Sequence, residues 1–119
     1  MAIPNIVNVA TIHAETLVGD LTTTLTTTLV TGEAEQVYKI NVIRASNITS
    51  SDATVTFDVE VSGTHKIIAN EITVPANSSV DIIDKNSSFY LQETDLLRGG
   101  ASAGTTVDVM VSYEILDDA

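Results

Sequence analysis

The histidines of this chain are its first candidates for metal or acid–base chemistry. His13 precedes Glu15 by two residues, so the two side chains share a face if their segment is a strand. Zinc requires three or four converging ligands, and neither His13 nor His65 lies in a spacing typical of such a set. We therefore interpret both histidines as polar residues beside turns and predict no metal site and no cofactor.

Carboxylate pairs are the second candidates. Asp81 with Asp84, or Asp117 with Asp118, could offer oxygen ligands to calcium. The spacing of an EF-hand loop is absent from the chain, however. The carboxylate pairs therefore predict at most weak calcium binding.

Residues for covalent or acid–base catalysis are poorly placed. Serine and threonine are abundant, but no G-x-S-x-G nucleophile motif occurs. Asp58 and Glu60 alternate with apolar residues, which is typical of a solvated strand face. The glycine-rich segment 98–104, RGGASAG, lacks the P-loop pattern and its lysine, so we interpret it as a hairpin loop. We predict no catalytic residues and no enzyme activity.

The amino-acid composition argues against several classes of protein. The chain has 119 residues and no cysteine, which predicts one domain without disulfides. Its 16 acidic and 5 basic residues give a net charge of -11, so it should repel nucleic acids and anionic membranes. A hydrophobic content of 44% predicts a folded domain. We expect no signal peptide and no membrane span, because no basic leader or apolar stretch of about 20 residues occurs.

Alternation with a period of two marks the clearest secondary structure. Residues 54–61, TVTFDVEV, and 106–115, TVDVMVSYEI, each alternate apolar with mostly polar side chains, which predicts strands with one buried face. The residues expected in the core are Val55, Phe57, Val59, Val107, Val109, Val111 and Tyr113.

Further strands are predicted between turn residues. Residues 37–45, VYKINVIRA, are largely apolar on both faces, which indicates a central or doubly covered strand. Shorter strands are expected at residues 66–69, 71–74, 80–83 and 88–92, with turns at 62–64, 75–77, 84–86 and 98–100. Many short strands separated by turns predict an all-β protein, an antiparallel β-sandwich or a barrel.

The N-terminal third supports two interpretations. Leu17, Leu21, Leu25 and Leu29 recur at every fourth position, as on a helix. The residues between them are mostly threonine, which favours strands. We favour strand over helix here.

Three stretches, taken together, resemble a group of small structural proteins of tailed bacteriophages, especially marine and cyanobacterial ones. They are the opening PNIVNVATI, the middle VYKINVIRASN, and the ending from SVDIIDKNSSFYLQETDLL to VSYEIL. The resemblance includes a Val-Pro-Ala turn at residues 74–76 and a Phe-Tyr-Leu-x-Glu strand at residues 89–93. It implies a jelly-roll-like sandwich carried on the virion, and it carries over no catalytic residue.

From this resemblance we expect a capsid decoration (cement) protein, made in the host cytoplasm and assembled on the phage head. Its partners would be other copies of itself, with a trimer favoured by analogy, and the major capsid protein. Two alternatives stay open: a neck, tail or fibre-base component, and an adhesion or carbohydrate-binding module.

An N-terminal arm, residues 1–9, is expected to precede a single domain at residues 10–119. The arm is apolar and uncharged in its side chains, and such segments are often ordered only against a neighbour. The residues expected to contact a neighbouring subunit or the capsid are Ile3, Pro4, Asn5, Ile6, Val7 and Val9.

Overall fold

The structure, a computed structural model, describes residues 9–21, 25, 27–102 and 107–118, and these form strands and turns without a helix. The nine strands are β1 (Val9–Leu21), β2 (Thr27–Thr31), β3 (Gln36–Asn47), β4 (Ala53–Val61), β5 (Thr64–Val74), β6 (Ser78–Ile83), β7 (Phe89–Leu91), β8 (Leu96–Ala101) and β9 (Val107–Asp118).

Two antiparallel sheets pack face to face. The five-stranded sheet has the order β1-β9-β3-β6, with β7 also pairing β3. The four-stranded sheet has the order β2-β8-β4-β5. The prediction of an all-β antiparallel sandwich is confirmed, whereas the jelly-roll arrangement stays a prediction.

The core lies between the sheets and contains the alternating residues of β4 and β9. Val55, Phe57, Val107 and Val111 are fully buried and Val109 nearly so, as predicted. The two other predicted members, Val59 and Tyr113, are partly buried against this cluster.

The strand that is apolar on both faces is central in its sheet. β3 pairs with β9 along one edge and with β6 and β7 along the other, which confirms the prediction. Val37 on β3 is 4% exposed although it is not part of the main core cluster. Residues on both faces of β3 are therefore shielded from water.

The threonine-rich N-terminal third forms strands. Leu17 and Leu21 lie on β1, and Leu29 lies on β2. Leu21 and Leu29 both reach the core, whereas Leu25 lies in a turn between the two strands. The helical alternative is wrong for the described residues, because β-branched threonine fits a pleated sheet better than a helix.

Two sequence predictions about strand boundaries are wrong. The strands expected at 66–69 and 71–74 are one strand, β5, which is bulged where Glu71 adopts a φ of 48°. The turn expected at 98–100 is part of β8. Glycine at position 99 permits close packing, because a Cβ atom added to it would lie 2.9 Å from Leu21 Cδ2 and from Phe57 Cε1.

Candidate functional site

Of the six predicted contact residues, the structure describes only Val9. Val9 is the first residue of β1 and lies opposite Asp118 of β9. Ile3, Pro4, Asn5, Ile6 and Val7 lie outside the described residues. The arm therefore leads directly into an edge strand of the five-stranded sheet.

The β1 edge is long and regular. β1 pairs with β9 in continuous register from Thr11 to Leu21, and within the described part of the chain no strand pairs with its second edge. Ile12 and Val18 share the outer face and are 62% and 75% exposed. An unpaired edge with apolar side chains is a template for another chain.

A polar network occupies the inner face of the same sheet near the start of β1. Asp117 Oδ1 accepts a 2.6 Å hydrogen bond from Gln36 Nε2, and Oδ2 accepts one of 2.9 Å from Thr11 Oγ1. His13 Nε2 lies 3.8 Å from Asp117 Oδ2. These hydrogen bonds, first that of Gln36 and then that of Thr11, hold the pKa of Asp117 below its usual range.

Two tyrosines continue this network towards the core. The rings of Tyr38 and Tyr113 stack with centroids 5.8 Å apart, and Tyr38 OH donates a 2.8 Å hydrogen bond to Gln36 Oε1. Burial raises the pKa of both phenols, and Glu15 raises that of Tyr113 further by its charge. His13 and Glu15 share this inner face, as expected for a strand.

The second exposed edge is β5 in the other sheet. Ile67, Ile68 and Ile72 are 55%, 38% and 37% exposed. Unlike β1, this strand has register breaks opposite Phe57 and a left-handed residue at Glu71. Irregularity of this kind weakens strand pairing with another chain.

Asp58 is not on a solvated face, contrary to the sequence interpretation. Its residue exposure is 2%, because Arg98 lies directly opposite on β8 and His65 lies beside it on β5. His65 also approaches Glu60, with Nε2 3.4 Å from Oε2. The sequence offered one signal for this contact, the lone Arg98 in the apolar stretch LLRGGA.

The carboxylates considered for calcium are separated by other contacts. Asp81 forms an ion pair with Arg44 at 2.7 Å, and Asp84 accepts a hydrogen bond from the Asn86 backbone in a turn. Asp117 is engaged by Gln36 and Thr11, and the side chain of Asp118 lies outside the described part of the structure. No three His, Asp or Glu side chains of the described residues converge into a metal-binding group.

Two open clefts lie on the surface, each of about 230 Å³. One lies beside the β5 bulge and is lined by Leu25, Thr54, Thr56, Glu71, Gly100, Ala101 and Ser102. Small-molecule sites usually enclose roughly 300–1,000 Å³ and are largely apolar. The described clefts therefore favour surface contacts over an enclosed substrate site.

Comparisons with known proteins identify no relative of this chain. No family model matches the chain, and no curated protein or solved structure matches it. Among the residues that the structure describes, no helix could cross a bilayer.

Proposed function

We propose that this protein is a structural subunit of a tailed-bacteriophage virion, a capsid decoration protein that assembles as a homo-oligomer on the head. The proposal combines the sequence resemblance with one observation, the exposed apolar side chains on β1 and β5. Ile12, Val18 and Ile67 are each more than half exposed. Covering them with another chain removes apolar surface from water.

The charge of the chain fits such a role. A net charge of -11 keeps a high-copy protein soluble and disfavours contact with packaged DNA. The same charge makes neighbouring copies repel each other. Apolar contact at the edges offsets this repulsion, so assembly strengthens as salt screens the charges.

The arm supplies a second contact. Residues 2–8, AIPNIVN, carry no charged side chain and directly precede β1 in the sequence. Laid on a neighbouring subunit or on the major capsid protein, the isoleucines and valine of the arm bury apolar surface.

The test is cosedimentation with undecorated heads of the phage that encodes the chain, together with mass by light scattering. The full chain is expected to bind the heads and to exceed the monomer mass, more strongly at higher salt. Deletion of residues 2–8 is expected to weaken head binding. A full chain that fails to bind heads would refute the proposed function. Unchanged binding after the deletion would show that the arm does not contribute to head binding.

A further inference from the structure

The β1 edge lacks most of the features that usually prevent strands from pairing between molecules; the exception is the pair of inward-facing titratable residues His13 and Glu15. Its sequence, VATIHAETLVGDL, contains no lysine, arginine or proline. Its only register shift lies between Val9 and Thr11. Edge strands of monomers are normally protected by such residues, by bulges or by short length. β5 has both a bulge and Lys66, so β1 is the better template.

We propose that two copies of the chain pair through β1, antiparallel about a twofold axis at Ala14, and so continue the five-stranded sheet across the dimer. This contact rests on the proposed assembly function and assigns it a surface and a partner, a second copy. The residues that pair are 11–17 of each copy, which lie within the continuous register with β9.

The register follows from the charged side chains of the strand. A twofold axis normal to the sheet keeps the outer faces on one side, so paired residues must share a face. With Ala14 opposite its own copy, His13 lies opposite Glu15 of the second copy, and Glu15 opposite His13. The imidazole N–H donates to the carboxylate, and protonation adds charge attraction.

Other registers lack this complementarity. Centring the axis on Glu15 places two carboxylates opposite each other, which is destabilising. Centring it on Thr16 or Leu17 leaves Glu15 opposite Leu17 or Gly19. Within the twofold registers, the axis at Ala14 alone brings opposite charges together.

The rest of the contact is neutral. Ile12 lies opposite Thr16 on the outer face, and Thr11 lies opposite Leu17 on the inner face. Asp20 lies beyond the paired residues, so His13 and Glu15 are the titratable side chains of residues 11–17. On the neighbouring strand β9, Asp117 faces His13 at 3.8 Å and Tyr113 faces Glu15.

The contact is isologous, since each copy contributes the same strand. It therefore produces a dimer, or an even-numbered assembly of dimers, rather than the closed threefold ring that the resemblance suggested.

Sedimentation equilibrium of the full chain and of charge-exchange variants tests the contact. His13→Glu places two carboxylates opposite each other on each side of the axis and is expected to raise the dimer dissociation constant by about tenfold or more. Glu15→Lys removes the carboxylate that accepts from His13 and is expected to raise the constant as well, by a smaller factor. The double variant exchanges the two charges and is expected to restore the constant to within about threefold of the original. Asn70→Glu on the exposed face of β5 is the matched control and should leave it unchanged.

Ala14→Lys provides a second test that leaves the Asp117 network intact. It places two ammonium groups beside the axis and is expected to give monomer, with the fold checked by circular dichroism. An oligomer unaffected by Ala14→Lys and His13→Glu would overturn the β1 contact while leaving the decoration function in place. An unsubstituted full chain that is monomeric yet still coats heads would also overturn the β1 contact, whereas an unsubstituted full chain that is monomeric and fails to bind heads would overturn both proposals.

Discussion

Asp58 and Arg98 face each other across β4 and β8 and share two hydrogen bonds, Arg98 Nε to Oδ1 at 3.0 Å and Nη2 to Oδ2 at 2.5 Å. The Asp58 side chain is 3% exposed and that of Arg98 is 22% exposed. The carboxylate raises the pKa of Arg98, mainly through these hydrogen bonds. Because the pair is largely shielded from water, removing one partner leaves a buried charge without compensation and should cost more stability than breaking a surface ion pair.

We predict that Arg98→Ala destabilises the protein by about 3 kcal/mol, because it leaves the Asp58 carboxylate buried without its partner. Arg44→Ala is the control, since the Arg44–Asp81 pair is 48% and 41% exposed and its loss should change stability far less. Urea denaturation measures both. Equal losses would show that the Asp58–Arg98 pair is effectively solvated.

The double variant Asp58→Leu with Arg98→Met removes both charges together. We expect it to recover most of the stability lost in Arg98→Ala, since apolar residues of similar volume often replace buried ion pairs without loss. A double variant as unstable as Arg98→Ala would contradict desolvation as the cause.

Gly99 and Phe57 are expected to show strong energetic coupling. Phe57→Ala removes a fully buried ring and should cost roughly 3–5 kcal/mol. Gly99→Ala introduces a methyl group that meets the Phe57 ring at 2.9 Å and should cost about 1–3 kcal/mol. In the double variant the methyl group enters the space left by the ring. The stability lost in the double variant should therefore be smaller than the sum of the losses in the two single variants. Strict additivity in thermal denaturation would contradict this packing.

Asp108 is expected to oppose stability at neutral pH. It lies directly opposite Asp20, and its pKa is raised, first by burial and then by the hydrogen bond and charge of Asp20. A carboxyl group whose pKa is raised in the folded state binds its proton more tightly there than in the unfolded chain. Its cost is therefore present at neutral pH and is relieved as the pH falls through the raised value.

Asp108→Asn should consequently raise the melting temperature at pH 7 and flatten the pH dependence above the ordinary aspartate range. Glu33→Gln, which removes one negative charge from an exposed loop, is the control for net charge. Equal stabilisation by both variants would assign the effect to overall charge and not to the Asp20–Asp108 pair.

Far-ultraviolet circular dichroism should show strand with very little helix. The nine strands and the threonine-rich N-terminal third motivate this expectation. A helix fraction above about a quarter would contradict the strand assignment of β1 and β2 and restore the helical interpretation of the leucine spacing.

Local sequence patterns predicted the fold class and part of the core. Alternation in β4 and β9 identified Val55, Phe57 and Val111 as buried, because successive side chains of a strand point to opposite faces. Threonine between the leucines of β1 and β2 indicated strand, because χ1 stiffness is a local property of the residue. These features depend on neighbours along the chain.

Tertiary structure decided which strands are edges and which polar side chains are buried. Arg98 and Gly99 were predicted as a turn, yet they lie in β8, where they pair with Asp58 and Phe57 of β4. Phe57 and Leu21 leave no room for a side chain at Gly99. Asp58 looked solvated, yet Arg98, 40 residues away, covers it. Pairing between distant strands sets both outcomes, and no local pattern encodes which strand will lie alongside another.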